Sequence, residues 1–156
     1  MANTQAICKT FRVDLFNALH AFGTTSIRAG TGADTFKMAL YLTSATMDST
    51  ATAYTSTNEL AATGNYTAGG AAVTNGNAPA NTGGTGVVAF WTPSASVTWN
   101  TLTSSGAFDA ALLYNDTNAS DKAVAVFTFG SQTVTAGNFS LTMPTNDLTT
   151  GLLLIA

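Results

Sequence analysis

Residues 36–42 read Phe-Lys-Met-Ala-Leu-Tyr-Leu, and this stretch decides the fold class. Large apolar side chains occupy every second position in it: Phe36, Met38, Leu40 and Leu42. Successive side chains of a strand point to opposite faces, so a period of two is typical of β structure. The stretch therefore predicts a half-buried β-strand.

Further strand candidates follow at near-regular spacing. Apolar or alternating runs occur at residues 71–74, 87–91, 97–99, 107–114, 123–129, 139–143 and 151–156. Pro93 and Pro144 stand beside these runs, which leaves the ladder hydrogen bonds of a sheet intact. The pattern predicts a mainly β fold, an antiparallel β-sandwich of jelly-roll type. Its predicted core contains Phe36, Leu40, Leu112, Phe127, Phe139 and Leu141. No strand–helix alternation follows residue 22, which excludes a parallel α/β fold.

The start of the chain has a different period. Residues 9–22 read KTFRVDLFNALHAF, with apolar side chains at helical spacing. Thr10 is a candidate cap at the start, and Gly23 stands where a glycine commonly ends a helix. These signals predict one N-terminal amphipathic helix over residues 9–22.

Small residues and glycines separate this helix from the strands. Residues 23–34 are typical of a flexible arm. We therefore expect an N-terminal helix and arm over residues 1–34, and a β-sandwich domain over residues 35–156. Two placements of the helix are open: against its own sandwich, or docked on a partner protein. For docking, the interface candidates are Phe11, Arg12, Leu15, Phe16, Leu19 and Phe22.

Charged residues make up only 8% of the chain, against about 25% in a typical soluble domain. Interface cores are depleted of charge, and low charge removes a barrier to self-association. We expect an assembly component that forms a homo-oligomer, a dimer or a trimer; the alternative is a monomeric domain with a Thr/Asn-rich exterior. The net charge is −3 and the five cations form no basic stripe, so nucleic acid is not an expected partner. No stretch approaches the length of a membrane span and no secretory signal is recognisable, so neither a membrane nor secretion is expected.

Residues with catalytic chemistry are sparse. Cys8 and His20 are single residues of their types, too few for the usual zinc site. His20 is interpreted as a histidine on the helix surface. Residues 115–118 loosely resemble a calcium loop but lack its glycine and distal glutamate, so a turn is the simpler interpretation. Asp109, inside an apolar run, either faces solvent or pairs across a subunit contact. We expect no catalytic residue, no metal site, no cofactor and no enzymatic activity.

Several stretches are similar to a known family. They are residues 36–41, 53–54, 58–59, 65–70, 111–115, 123–130 and 137–141, together with Phe11, Arg12 and Leu15. In these the chain resembles small virion structural proteins of tailed bacteriophages; the glycine-rich residues 75–86 depart from the pattern. The resemblance implies a capsid cement or decoration protein that binds and stabilises the head shell, or a neck, tail, fibre or head-fibre component. It implies the phage major capsid protein or another virion protein as partner, and a protein made in the host bacterial cytoplasm and located in the virion.

A different function is also open. Trp91 and Trp99, with several tyrosines, are residue types that stack on sugars in carbohydrate- or receptor-binding β-sandwich modules. Packing in a core or an interface is the alternative for both tryptophans.

Overall fold

The computed structural model describes residues 2–24, 32–81 and 88–156. Within these ranges the chain consists mainly of antiparallel strands and has a single short helix, as predicted. In chain order the elements are β1 (Ala6–Ile7), α1 (Lys9–Phe16), β2 (Phe36–Leu42), β3 (Ala71–Val73), β4 (Ala89–Trp91), β5 (Val97–Leu102), β6 (Phe108–Asn115), β7 (Ala123–Gln132), β8 (Gly137–Leu141) and β9 (Leu153–Ile155).

The largest sheet has five strands in the order β1-β7-β6-β2-β3, with antiparallel pairing throughout. Strand β2, the decisive stretch of the sequence, pairs with β6 so that Leu40 lies opposite Ala111. Tyr41 is as fully buried as Leu40, although the two side chains point to opposite faces. The prediction of a half-buried strand is therefore corrected, because residues from the long connection between β2 and β3 cover the second face.

Two shorter ribbons pair distant parts of the chain, β4 with β9 and β5 with β8. Both contact the sheet through aromatic rings. The ring centroids of Phe139 in β8 and Phe108 in β6 are 4.9 Å apart. Those of Trp91 in β4 and Phe36 in β2 are 5.9 Å apart. The ribbons thus contribute to one continuous core with the sheet.

The predicted core is largely confirmed. Phe36, Leu40 and Leu112 are buried, while Phe127, Phe139 and Leu141 are half-buried and pack against the core.

The helix is shorter than predicted, with 8 residues in place of the range 9–22. It ends at Phe16, and Ala18 adopts a left-handed conformation with φ of 53°. The N–H of Ala18 then donates to the carbonyl of Leu15, and the N–H of Leu19 donates to the carbonyl of Asp14. This is the Schellman arrangement that ends a helix, with alanine at the position where glycine is usual. Periodicity continued past this turn, which is why the sequence suggested an end at Gly23.

The leading segment is joined to the sheet rather than set apart from it. Strand β1 pairs with β7, where Ala6 lies opposite Val126, and Cys8 and Phe11 have no exposed surface. The predicted boundary at residue 34 is therefore corrected for the described residues 2–24. Residues 25–31 of the predicted arm, and 82–87 of the glycine-rich loop, lie outside the described residues.

In the part of the chain that the structure describes, the only helix is far shorter than a bilayer crossing requires.

Candidate functional site

The outward face of α1 is the most unusual surface of the described chain. Four residues on it are exposed: Lys9, Arg12, Val13 and Phe16. Arg12 and Val13 are each three or four residues from Lys9 and from Phe16, so the four form one stripe along the helix. The exposed fraction is 59% for Val13 and 94% for Phe16, the two large hydrophobic residues that stand out as exposed. We call these four residues the α1 stripe. It combines two cations with two apolar side chains, a composition suited to contact with another molecule.

The opposite face of α1 is anchored in the core. The Phe11 ring lies 5.1 Å from that of His20 and 6.0 Å from that of Phe22. Phe22 in turn stacks on Phe36 at 4.5 Å. The Phe11 ring therefore anchors α1 in the core, and the α1 stripe lies on the side of the helix that faces outward.

The six predicted interface candidates divide between these two faces. Arg12 and Phe16 are exposed, whereas Leu15, Leu19 and Phe22 are half-buried. Phe11 is fully buried in the chain's own core, so its assignment to an interface is corrected. Its burial follows from the β1–β7 pairing, which sets the helix inner face against the sheet. Val13 was not among the residues predicted from the sequence, because the prediction took the helix face that contains Phe11 as the interface.

An apolar cavity of about 550 Å³ lies beside α1. Leu15 and Ala18 line it from the helix side, and Phe90, Trp91 and Leu153 line it from the β4–β9 ribbon. Phe11, which is fully buried, also lines the cavity, so the cavity adjoins the inner face of α1 rather than the α1 stripe.

A buried polar cluster holds the chain that follows α1. The side-chain amide of Asn115 donates to the carbonyl of Leu19 at 3.0 Å and to the carboxylate of Asp34 at 2.8 Å. The same carboxylate accepts the N–H of Ala21 at 2.7 Å. His20 lies in this cluster, with its Nδ1 3.2 Å from the Asn115 amide. The interpretation of His20 as a surface residue is corrected, since its side chain is fully buried.

All four tyrosines of the chain gather around Glu59. The Glu59 carboxylate accepts the hydroxyls of Tyr54 at 2.6 Å and of Tyr66 at 2.7 Å, and also the Gly69 N–H at 2.7 Å. Tyr114 stacks on Tyr54 at 4.9 Å, and its hydroxyl donates to the Gly69 carbonyl. Tyr41 closes the group by donating its hydroxyl to the carbonyl of Thr55 at 2.6 Å. We call Glu59 and these four residues the tyrosine cluster; it fastens the β2–β3 connection to the sheet.

The tyrosine cluster predicts a stability loss at alkaline pH. Burial, followed by the hydrogen bond to Glu59 and its charge, raises the pKa of Tyr54 to about 12. Burial also raises the pKa of Tyr41, Tyr66 and Tyr114. Unfolded tyrosine ionises near pH 10, so above that pH the unfolded chain loses protons that the folded chain retains.

The contribution of these hydroxyls to stability is therefore complete below about pH 10 and falls as the pH rises beyond it. We expect phenolate absorbance to appear only above pH 10, together with unfolding. The same titration in urea is the control and should show ordinary ionisation near pH 10. Ordinary ionisation of several tyrosines in the folded chain would contradict the burial of the cluster.

The other chemical candidates occupy structural positions. Burial raises the pKa of the Cys8 thiol to about 11, so the thiol is protonated at neutral pH and a poor nucleophile. Asp109 accepts a 2.6 Å hydrogen bond from the Asn3 amide within the same chain. In the loop considered for calcium, the side-chain oxygen of Asn115 accepts hydrogen bonds from the N–H groups of Thr117 and Asn118. This is the hydrogen bonding of a turn. In residues 2–24, 32–81 and 88–156, no group of three or more His, Cys, Asp or Glu side chains could hold a metal ion.

Both tryptophans are buried. Trp91 is 2% exposed and donates its ring N–H to the carbonyl of Asn77, and Trp99 is 5% exposed beside Phe139. Neither ring presents a face on which a sugar could stack.

Comparison of the chain with protein-family models, with curated proteins and with solved structures finds no match.

Proposed function

We propose that this protein is a non-enzymatic structural component of a tailed-bacteriophage virion, and specifically a cement or decoration protein that binds and stabilises the head shell. The observation that carries an assembly role is the α1 stripe. Val13 and Phe16 are exposed there, on a helix whose opposite face is packed in the core through Phe11. Exposed apolar side chains on a fixed support are typical of protein–protein contacts. The resemblance of residues 36–41, 65–70 and 123–130 to small virion proteins supports the phage assignment.

The surroundings of two buried acidic groups, Glu59 and Asp34, support a structural role. The Glu59 and Asp34 carboxylates accept hydrogen bonds that hold the β2–β3 connection and the chain after α1 in place. The Cys8 thiol is buried. Each of these groups has a role in the fold that requires no reaction.

The finer architecture is part of the same proposal. We infer a sandwich of jelly-roll type, in which the β4–β9 and β5–β8 ribbons form the layer opposite the five-stranded sheet. The aromatic contacts of Trp91 with Phe36 and of Phe139 with Phe108 support this arrangement. An experimental structure in which either ribbon lies off the sheet would contradict it.

The proposed partners follow from the role. They are the phage major capsid protein or another virion protein, and further copies of this chain as a dimer or trimer. The protein would be made in the host bacterial cytoplasm and located in the virion, without binding nucleic acid or membrane. A position at the neck, tail or fibre is the second candidate within the same class.

The decisive experiment is localisation in the particle. We expect purified virions to contain the chain in many copies, visible at symmetry positions on the head in a density map. Particles assembled without it should open at lower temperature, and adding the purified chain should restore their resistance. Absence of the chain from purified virions would contradict the proposed function, whereas density at the neck or tail would contradict only the cement role.

A carbohydrate-binding function has weaker support, since the tryptophans that suggested it are buried. Saturable binding of the isolated protein on a glycan array would nevertheless revive it.

A further inference from the structure

The side-chain amide of Asn75, two residues after β3, binds the chain that follows α1. Its oxygen accepts the N–H of Gly23 at 2.6 Å. Its nitrogen donates to the carbonyl oxygen of Asp34 at 3.0 Å and to that of Ala21 at 3.4 Å. Asn75 therefore fastens residues 21–23, which we call the docked segment, to the end of β3.

Asn75 is followed by Gly76, and this is the single Asn-Gly pair in the chain. A Cβ on residue 76 would overlap the side-chain oxygen of Ser94 and lie 2.9 Å from the Cβ of that serine. Glycine allows this close approach because it has no Cβ. The N–H groups of Gly76 and Ser94 both donate to the carbonyl of Thr74, at 2.9 and 3.0 Å. The packing against Ser94 therefore favours a glycine at the position that makes the preceding asparagine chemically labile.

An asparagine before glycine modifies itself without an enzyme, because no Cβ crowds the attacking nitrogen. The Gly76 nitrogen gives its proton to solvent and attacks Cγ of Asn75. A C–N bond forms, the bond from Cγ to Nδ2 breaks, and Nδ2 gains a proton from solvent and leaves as ammonia. Water then opens the five-membered imide at either carbonyl, which yields aspartate or isoaspartate. No atom is oxidised or reduced.

The folded chain holds both reacting groups. The Gly76 N–H is bonded to the Thr74 carbonyl, and the Asn75 amide is bonded to Gly23 and Asp34. Ring closure requires the asparagine side chain to turn onto its own backbone, which breaks these contacts. The reaction is therefore coupled to opening of the docked segment, as exchange of a protected amide proton is coupled to local unfolding.

The product does not fit the same contact. An aspartate at position 75 presents an oxygen, which cannot donate, to the carbonyl oxygens of Asp34 and Ala21. Isoaspartate also lengthens the backbone by one carbon before Gly76, where the close approach to Ser94 leaves little room. Both products thus disfavour return of the docked segment.

We propose that Asn75 and Gly76 form a self-modification site that the fold keeps closed, and that its reaction makes opening of the docked segment irreversible. The support is the coincidence of the one Asn-Gly pair with the side chain that binds this segment. The site marks chains that stay open long enough to react and leaves closed chains unmodified. It requires neither a virion nor a partner protein, so it goes beyond the proposed function and does not depend on it.

Peptide mass spectrometry of the purified full-length chain measures the reaction. During incubation at mildly alkaline pH, we expect the change from amide to acid at Asn75 to be at least about tenfold slower in native buffer than in urea. In urea, Gly76→Ala should suppress the reaction, because its Cβ crowds the attacking nitrogen. The other asparagines of the chain, none of which precedes a glycine, are internal controls and should react more slowly in urea than Asn75.

Two matched substitutions test the coupling to opening. Phe22 lies in the docked segment, and its ring stacks on that of Phe36 at 4.5 Å. Phe22→Leu removes this contact and should speed the reaction in native buffer without changing the rate in urea. Phe16→Leu is the same change at a ring that is 94% exposed, and it should leave both rates unchanged. Circular dichroism of each variant checks that the fold is retained.

The effect of the product is measured on Asn75→Asp. We expect its melting temperature to fall by roughly 3 °C or more, because the donor to two carbonyl oxygens is lost. Amide protons of the docked segment should also exchange faster. Asn100→Asp makes the same chemical change at an exposed position of β5 and should alter neither quantity.

Three results would overturn the proposal. Equal rates at Asn75 in native buffer and in urea would show that the fold does not keep the site closed. A rate in urea no higher at Asn75 than at the other asparagines would show that there is no such site. An Asn75→Asp chain as stable as the Asn100→Asp chain would show that the modification does not hinder closing.

Discussion

Replacing Phe11 with alanine is expected to lower the free energy of unfolding by about 3–5 kcal/mol, as for other buried phenylalanines. Its ring is fully buried and contacts His20 and Phe22, so truncation leaves a cavity between α1 and the sheet. The matched control is Phe16→Ala, the same change on the opposite face of the same helix. Because Phe16 is 94% exposed, its truncation should change stability by less than about 0.5 kcal/mol.

Urea unfolding of the two variants, followed by circular dichroism, measures this difference. Similar losses for Phe11→Ala and Phe16→Ala would contradict the orientation of α1. Deleting residues 1–22 should be more severe than either substitution, because it also removes the β1–β7 pairing and the buried Cys8. The docking interpretation of the sequence predicts only a small change in melting temperature for this deletion, and the structure reverses that expectation.

Replacing Glu59 with alanine is expected to destabilise the fold by about 3–5 kcal/mol. The substitution leaves the Tyr66 hydroxyl and the Gly69 N–H without their buried acceptor, and each such group costs about 1–3 kcal/mol. The Tyr54 hydroxyl, which is less buried, adds a smaller share. Glu59→Gln should cost less, because an amide oxygen can still accept from Tyr66 and Gly69.

The matched control for the charge is Asp121→Asn, which removes a nearby carboxylate outside the hydrogen bonds of the tyrosine cluster. Asp121 has φ of 45°, a conformation that asparagine adopts readily, so little loss is expected. Unfolding in urea near pH 7 measures all three variants. A Glu59→Ala variant as stable as Asp121→Asn would show that the tyrosine cluster does not hold the β2–β3 connection.

Strand positions followed from local patterns. The alternation in residues 36–42 predicted β2, and the runs at 107–114 and 123–129 predicted β6 and β7, each near its observed bounds. A period of two depends only on neighbouring residues, so it can be recognised without knowing what each strand packs against.

The tyrosine cluster could not be predicted in the same way. Glu59 lies in a Thr/Ala-rich connection without periodicity, and Tyr114 is far from it in sequence. Tyr54 and Tyr66 are near Glu59 in sequence, but no periodic pattern indicates that their hydroxyls will converge on its carboxylate. Tyr114 joins them only when β6 is placed beside β2, since it reaches Tyr54 and Gly69 from that strand. The end of α1 is a similar case, since Ala18 carries no signal for the left-handed conformation it adopts.

By itself, the sequence determined that the chain is mainly antiparallel β structure with a helix near its start, because side-chain periodicity is a local property. Only the tertiary structure decided which face of that helix is available. Pairing of β1 with β7 brings Phe11 into the core and leaves Arg12, Val13 and Phe16 outside. The helical spacing is compatible with either face inward; the long-range contacts of residues 6–7 and 22 select one, because they fix the rotation of α1 against the sheet.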